Sequence, residues 1–488
     1  MRNLCSLALM ALVTGCSLAP KHVTPALSTP SEFPPEVKPA GTRADVVSVS
    51  WESFYQDERL RELIALALEN NRDLRIAVLR IEEARGLYRI QRTEQLPQLG
   101  LTAGANRSPI GTAALNPAQG CGAGSPAGVT GFTVDNYNVG VGVTSFELDF
   151  WGRVRNLSKA ARAQYFSTIA AERAFRISLI RDLATAYISS RSLAEQAEQA
   201  ERTVSSRVEG LRIAKLRLNA GVTSALDYRQ AESLLTQAEA QLAVLQNRRA
   251  QQRNIVRLLV GAPIDEDRLA PARTLNEQGI LADIDAGLPS SLLFNRPDII
   301  AAEEALRAAR ANIGAARAAF FPQITLTGNA GFASTSLDSL FLGQGQTWSF
   351  GPSLSLPIFD WGARKGDLTV ARARESIEVA TYERTVQIAF REVSDALANR
   401  RYLAEQIAAQ QRGVDAQLAI TRLATRRYQN GVAQFLEVLD AERNLFTAQQ
   451  TLIDLRGAEL SSLVSLYAAL GGGLGAPLIA RRGNSMPR

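Results

Sequence analysis

Arg191-Ser-Leu-Ala-Glu-Gln196 and Arg401-Tyr-Leu-Ala-Glu-Gln406 are nearly one phrase written twice, 210 residues apart. The repetition extends in both directions at that spacing. Trp151-Gly152 recurs as Trp361-Gly362. Arg217, Gly221, Val222, Leu226, Ala231, Glu232 and Leu235 recur as Arg427, Gly431, Val432, Leu436, Ala441, Glu442 and Leu445. Further upstream the spacing is 225: Asp73, Ala77, Arg85, Arg92, Pro97, Gln98, Leu101 and Ala105 match Asp298, Ala302, Arg310, Arg317, Pro322, Gln323, Leu326 and Ala330. The 488 residues are therefore two copies of one unit, and the first copy is the longer by 15 residues.

Each copy reads helix, strand, strand, long helix, helix. No proline occurs from Ala127 to Ala262 or from Ile358 to Ala476. Leu403, Ile407, Val414 and Leu418 are spaced as a coiled-coil seam, with Leu193, Ala197, Val204 and Val208 as their counterparts. A helix from about Val154 to Leu218 is ~100 Å long at its 1.5 Å rise, too long for a globular domain, so a rod or tube is expected. Asn219-Ala-Gly221-Val222-Thr223 and Gln429-Asn-Gly431-Val432-Ala433 supply the glycine of a left-handed helix end. They make Gly221, Val222, Gly431 and Val432 the tips of two helical hairpins.

The strand segments alternate. Ile324-Thr-Leu326-Thr-Gly328-Asn-Ala330-Gly-Phe332 places apolar residues on one face and polar ones on the other, and the stretches 139–148 and 349–356 do the same. Aromatics gather where strand meets helix: Phe150, Trp151, Phe320, Phe321, Phe359 and Trp361. Such girdles mark a membrane interface. Two hairpins give four strands. A bilayer tolerates no open sheet edge, and the smallest barrels have eight strands. The expected fold is thus mainly α with a transmembrane β-barrel part that several chains share.

Composition narrows function. The chain is 46% hydrophobic and 21% charged, with a mean hydropathy of −0.06, which excludes wholesale disorder and a bundle of membrane helices. With one histidine (His22) and three cysteines (Cys5, Cys16, Cys121), it offers no triad, metal cluster or disulfide framework. No catalytic or metal-binding residue is expected, nor any cofactor beyond a covalent lipid. Cys121, between glycines, reads as an incidental loop residue. The 54 basic residues, only five of them lysine, interleave with 48 acids along the helices, so no nucleic-acid footprint emerges.

The N-terminus is an address. Arg2, the apolar run Leu4–Val13 and small residues after it make residues 1–15 a signal peptide. Leu12-Val13-Thr14-Gly15-Cys16 resembles a bacterial lipobox, which implies diacylglyceryl attachment at Cys16; Ser17 after it implies sorting to the outer membrane. Residues 16–50, dotted with proline, read as an extended tether.

The mature chain as a whole resembles the outer-membrane factor family, the TolC-type exit ducts of tripartite efflux pumps. The resemblance rests on Cys16-Ser-Leu-Ala-Pro20, Trp51 with Asp57-Glu-Arg-Leu60, Leu288 through Asp298 with its Arg296-Pro297-Asp298, Ala316 through Leu326, and the two hairpin tips. The Arg-Pro-Asp and Phe-Pro-Gln-Ile-Thr-Leu segments resemble most the lipoprotein branch serving resistance–nodulation–division pumps. The resemblance implies a homotrimer with a 12-stranded barrel and a 12-helix periplasmic tunnel, docked on a periplasmic adaptor and an inner-membrane pump, without enzymatic activity. Residues 51–262 and 296–470 would be the two repeats, with strands at about 96–150 and 321–360. Residues 263–295 would be an equatorial linker and 471–488 a tail. The resemblance also implies a periplasmic gate with Asp440 as its constriction acid, Leu436 as an apolar constriction residue and Arg443 as a tethering cation. These lie at i, i+4 and i+7 on one helix face, where the first copy has Leu226, Gln230 and Ser233. A type I protein-secretion channel shares this fold and stands as the alternative; a structural coiled-coil lipoprotein fits the duplication and the strand pairs less well.

Overall fold

A computed structural model of the protein describes residues 17–25, 44–45, 49–110, 132–281, 284–285 and 296–472. The signal peptide, Cys16, Cys121, most of the tether and the tail beyond 472 lie outside the described residues. In chain order the elements are α1 (Trp51–Phe54), α2 (Glu58–Asn70), α3 (Arg72–Thr93), β1 (Leu99–Ile110), β2 (Phe132–Glu147), α4 (Arg153–Asn219), α5 (Ala225–Val260), α6 (Pro297–Ala318), β3 (Gln323–Ser334), β4 (Gln346–Ser355), α7 (Ala363–Gln429) and α8 (Phe435–Ala469). From α3 onward the order helix, strand, strand, long helix, helix occurs twice. The two long helices each have 67 residues, ~100 Å apiece.

Two compact units share the chain. One comprises residues 1–24, 82–166 and 303–380, the other 25–81, 167–302 and 381–488. Among the described residues no helix is long and apolar enough to cross a membrane.

The first unit holds the sheet. Its strands form one antiparallel meander in the order β1-β2-β3-β4. The pairing aligns Leu101, Val141, Ala330 and Trp348 in one row, and Leu99, Val143, Gly328 and Phe350 in the next. Directly paired residues share a face, so this face is apolar. Leu99 and Leu101 are 75% exposed and Trp348 is 80% exposed. The opposite face carries Thr325 against Ser353 and Thr327 against Gly351; the Thr325 and Ser353 hydroxyls lie 2.7 Å apart. A bulge interrupts β2 between Val143 and Phe146. Strands β1 and β2 reach further than the clearest alternation suggests: their ladder runs on to Ile110 opposite Phe132, with Arg107 and Asp135 paired across it at 2.5 Å. Among the described residues the outer edges of β1 and β4 have no ladder partner.

The second unit is held by a core of distant segments. Phe54 stacks on Tyr467 at 3.9 Å, with Leu60, Ile64, Leu183, Val260, Leu275, Val393 and Val464 buried around them. The N-terminal helices, the middle of α4, the inter-repeat linker and the end of α8 therefore meet in one place. Along the seam, Ala197 and Val414 are buried, but Val208 is 50% exposed and its neighbour Arg207 is buried instead. Burial has moved by one residue from the apolar pattern.

Candidate functional site

Both hairpin tips close in the same way. Val222 N–H donates to Arg217 O and Gly221 N–H to Leu218 O, at 3.0 and 2.9 Å; Val432 and Gly431 repeat this with Arg427 O and Tyr428 O, at 2.9 and 3.0 Å. This double closure needs a left-handed residue, and Gly221 and Gly431 take φ of 72° and 74°. Val222 and Val432 are 63% and 69% exposed.

The starts of the return helices differ. Ser224 caps α5 in a reciprocal box with Asp227, and Thr223 donates its hydroxyl to the same carboxylate at 2.6 Å. The Thr223 hydrogen bond and the Ser224 bonds hold Asp227 below the usual carboxylate range. Gln434, at the equivalent place before α8, makes no side-chain cap.

Leu436, Asp440 and Arg443 lie on α8 just beyond this uncapped start. Val438, Leu439 and Ala441 are buried, whereas Leu436 is 45% exposed. Asp440 and Arg443 form an ion pair at 2.9 Å along the helix. Glu437 reaches α7 through Arg427 at 3.3 Å. Nearby, helices of the two copies are tied by groups that apolar spacing does not reveal. The Arg217 guanidinium lies 4.8 Å over the Tyr428 ring. Gln199 donates to Gln449 at 2.6 Å, and Gln196 donates to Asp454. Buried Arg207 donates to Leu234 O at 2.7 Å, while its Nε–H has no partner among the described residues. Burial pushes the Glu442 carboxyl upward, and Arg207 offsets part of that shift.

In the first unit, the aromatics sit where strands join helices. Trp151 donates its indole N–H to Pro322 O at 3.0 Å and stacks on Phe321 at 4.5 Å. Arg364 lies 5.7 Å over the Phe320 ring. Phe359 meets Trp361 edge-on at 4.6 Å, and Trp361, at φ 54°, is 90% exposed. Phe150 is 42% exposed. Residues 17–25 are fastened to α6 and α4: Arg317 donates to Leu18 O at 3.0 Å, Arg310 to Val23 O at 2.7 Å, and Ser17 to Asn156 Oδ1 at 2.9 Å. Gly314 makes room for this strap, since a Cβ there would lie 2.8 Å from that of Ala19.

Residues 63–262 and 288–472, both halves of the duplication, match the outer membrane efflux protein family. The chain belongs to that family. It is 43% identical over 476 residues to the solvent efflux pump outer membrane protein SrpC of Pseudomonas putida, covering 96% of this chain and 98% of the relative. It is 39% identical over 466 residues to the cation efflux system protein CusC of Escherichia coli, covering 94% and 96%. Among solved structures, the open state of the MtrE outer membrane channel of Neisseria gonorrhoeae superposes with a TM-score of 0.84 at 38% identity, covering 94% of this chain and 99% of that one.

The residues expected at the gate all lie on α8. The structure brings Asp440 and Arg443 into contact and leaves Leu436 on an exposed surface of the same helix. Arg207, Glu442 and the glutamine ties escape sequence reading because charged and amide residues inside a helical seam look like solvated ones. The only cue is that Arg207 adjoins the apolar position Val208.

Proposed function

We propose that this outer membrane efflux protein works as a homotrimeric exit duct. Through a periplasmic adaptor it receives small toxic molecules from an inner-membrane pump and passes them outward. One observation carries the reading: the sheet has one apolar face, two unpaired edges and four strands, too few to close around water. Three copies supply 12 strands, and their paired long helices supply the wall of a tunnel. Conduction requires no chemical conversion, cofactor or metal. Relatives named for solvents, toluene and an antibiotic, at 41–43% identity, favour small apolar organic cargo over the cation named for CusC.

The same reading covers the anchor and the gate. Ser17 is fastened to Asn156, and Leu18 to Arg317, within a few residues of the strand ends. An acyl chain on Cys16 would therefore start at the foot of the barrel, where it adds roughly 0.8 kcal/mol of membrane affinity per buried CH₂. Cys16→Ser abolishes palmitate labelling in this reading. At the tunnel's far end three copies of Asp440 would form an acidic ring, and Asp440→Ala raises single-channel conductance in a planar bilayer; unchanged conductance would remove Asp440 from the gate.

The decisive experiment is electron microscopy of the purified protein in mild detergent, paired with deletion in its host. A threefold cylinder bearing a detergent belt, together with toluene sensitivity of the deletion strain, supports the duct. Monomers without a belt overturn it. Loss of a secreted protein with unchanged solvent tolerance would favour the type I secretion channel.

A further inference from the structure

Within one chain, the end of the first copy abuts the start of the second. The duplication then predicts that the end of the second copy abuts the start of a first copy, and within one chain it does not: β4 and β1 are opposite edges of the sheet. We propose that the internal joint is the template for the joint between subunits, residue for residue. Trp361 would then donate its indole N–H to the carbonyl of Pro97 of the partner subunit, as Trp151 donates to Pro322. This rests on the homotrimer proposed above and specifies its contacts.

The correspondence uses the two spacings of the repeat, 210 from copy one to copy two beyond the strands and 225 before them. Trp151 maps to Trp361, Phe321 to Leu96, and Pro322 to Pro97. In the internal joint, Leu148 N–H donates to Ile324 O at 2.8 Å. Its image is Ile358 N–H donating to the carbonyl of Leu99 of the partner subunit. All of these second-joint residues are uncovered in the single chain: Trp361 is 90%, Ile358 92%, Leu99 75% and Leu96 65% exposed. No hydrogen bond from the Trp361 indole is found among the described residues. An exposed indole N–H is free to exchange water for a protein acceptor when a neighbour covers it.

The helices above the joint agree. Internally, Asn156 of α4 crowds Gly314 of α6 so closely that a Cβ on the glycine would lie 2.6 Å from Nδ2, and Ala163 clusters with Ala311. The images of the first pair are Gly366 on α7 and Arg89 on α3, and those of the second are Ala373 and Gly86. Large against small becomes small against large, and small against small persists. Gly86 and Gly366 both face open space in the single chain, as residues awaiting a neighbour's side chain do. Not every feature is reproduced: Trp361 has a positive φ of 54° that Trp151 lacks, Leu96 stands in place of the Phe321 ring, and Glu147, which accepts from Arg153 and Gln323, maps to Pro357. The joint between subunits therefore lacks this polar tie and relies on apolar contact and the ladder.

The test is disulfide trapping in full-length protein carrying Cys121→Ser. Ile358→Cys with Leu99→Cys places two cysteines directly opposite across the new joint, within disulfide reach. Inside one subunit the two edge strands are already three strand spacings, ~14 Å, apart, and Ile358 lies eight residues beyond Phe350, which aligns with Leu99, so only bonds between subunits can form. Mild oxidation should give covalent dimers and trimers on a denaturing gel. Ile358→Cys with Leu101→Cys, two residues out of register, should not. Trp361→Phe keeps an aromatic ring but removes the donor, and should lower the temperature at which native mass spectrometry sees the trimer dissociate. A trimer that forms but is trapped only by the shifted pair, or by neither, overturns the template while leaving the homotrimer standing. A trimer indifferent to Trp361→Phe overturns the indole contact. A monomer overturns both readings.

Discussion

Tyr187 donates its hydroxyl to Asp57 across 2.9 Å, while the other oxygen of that carboxylate accepts the backbone N–H of Arg59 at 3.0 Å. One buried acid thus caps α2 and ties it to the middle of α4, 130 residues away. Burial, then Asp57, push the Tyr187 hydroxyl well above the ordinary tyrosine range, so it stays protonated and donating. Losing the cap costs about 1 kcal/mol, and orphaning the buried hydroxyl adds about 1–3 kcal/mol. Asp57→Ala is therefore expected to lower unfolding stability by about 2–4 kcal/mol, and Tyr187→Phe by less, since it leaves the cap intact. Thermal melts of the two single variants and the double variant should show coupling; strict additivity would refute the shared role.

Arg296 is the second such tie. It grips Asp298 with two bonds of 3.0 and 2.6 Å, Glu392 at 2.8 Å and Ala469 O at 2.9 Å, joining the start of α6 to α7 and the end of α8. Burial would lower its pKa, but Asp298 and then Glu392 outweigh that and raise it. Removing one member of a buried charged group costs about 3–5 kcal/mol. Arg296→Ala is expected to cost that much. Arg296→Lys should cost less but should not be neutral, because an ammonium cannot bridge both oxygens of Asp298 in a planar fork. Chemical denaturation of the purified protein measures both; a neutral lysine variant would contradict the geometry.

The boxed start of α5 and the uncapped start of α8 make the two tips unequal. Ser224→Ala should loosen the first tip by about 1 kcal/mol, and Gln434→Ser should firm the second by a similar amount. Hydrogen exchange read separately at residues 225–228 and 435–438 distinguishes them. Equal protection of the two tips in the unmodified protein would count against this difference.

Acid should act on the same asymmetry. Asp227 has a lowered value when folded, so the unfolded tip binds protons more readily. The stabilisation it provides is complete above the ordinary aspartate value of about 4 and is lost as pH falls through the lowered one. Protection at the first tip should hold from neutrality to about pH 4 and then decline, with Asp227→Asn removing the pH-dependent part. A decline that begins near neutrality would point to another group.

Much of this architecture was legible because it is repetitive. The repeat located both long helices, both left-handed glycines at Gly221 and Gly431, and the four strands with their apolar rows. What escaped has a physical reason in each case. Arg207 is buried where its neighbour Val208 had the better hydrophobic claim, and a periodicity count assigns every arginine to solvent. The prolines of residues 16–50 read as an extended tether, and nothing in their spacing signalled that Arg310 and Arg317, far along the chain, would fasten residues 18–23. The core around Phe54 and Tyr467 joins segments more than 400 residues apart, and no local pattern encodes such a meeting. The gate residues could be placed on one face from their spacing, yet the pairing of Asp440 with Arg443 is a rotamer choice that spacing leaves open.

The sheet's two unmatched edges also have a genetic consequence. In the proposed homotrimer no subunit owns a complete wall, so a subunit with a damaged edge spoils every ring it enters. If intact and damaged copies are made equally and mix at random, only about one ring in eight is wholly intact. An edge-strand allele should then behave as dominant over the normal one, whereas a null allele of the same gene stays recessive.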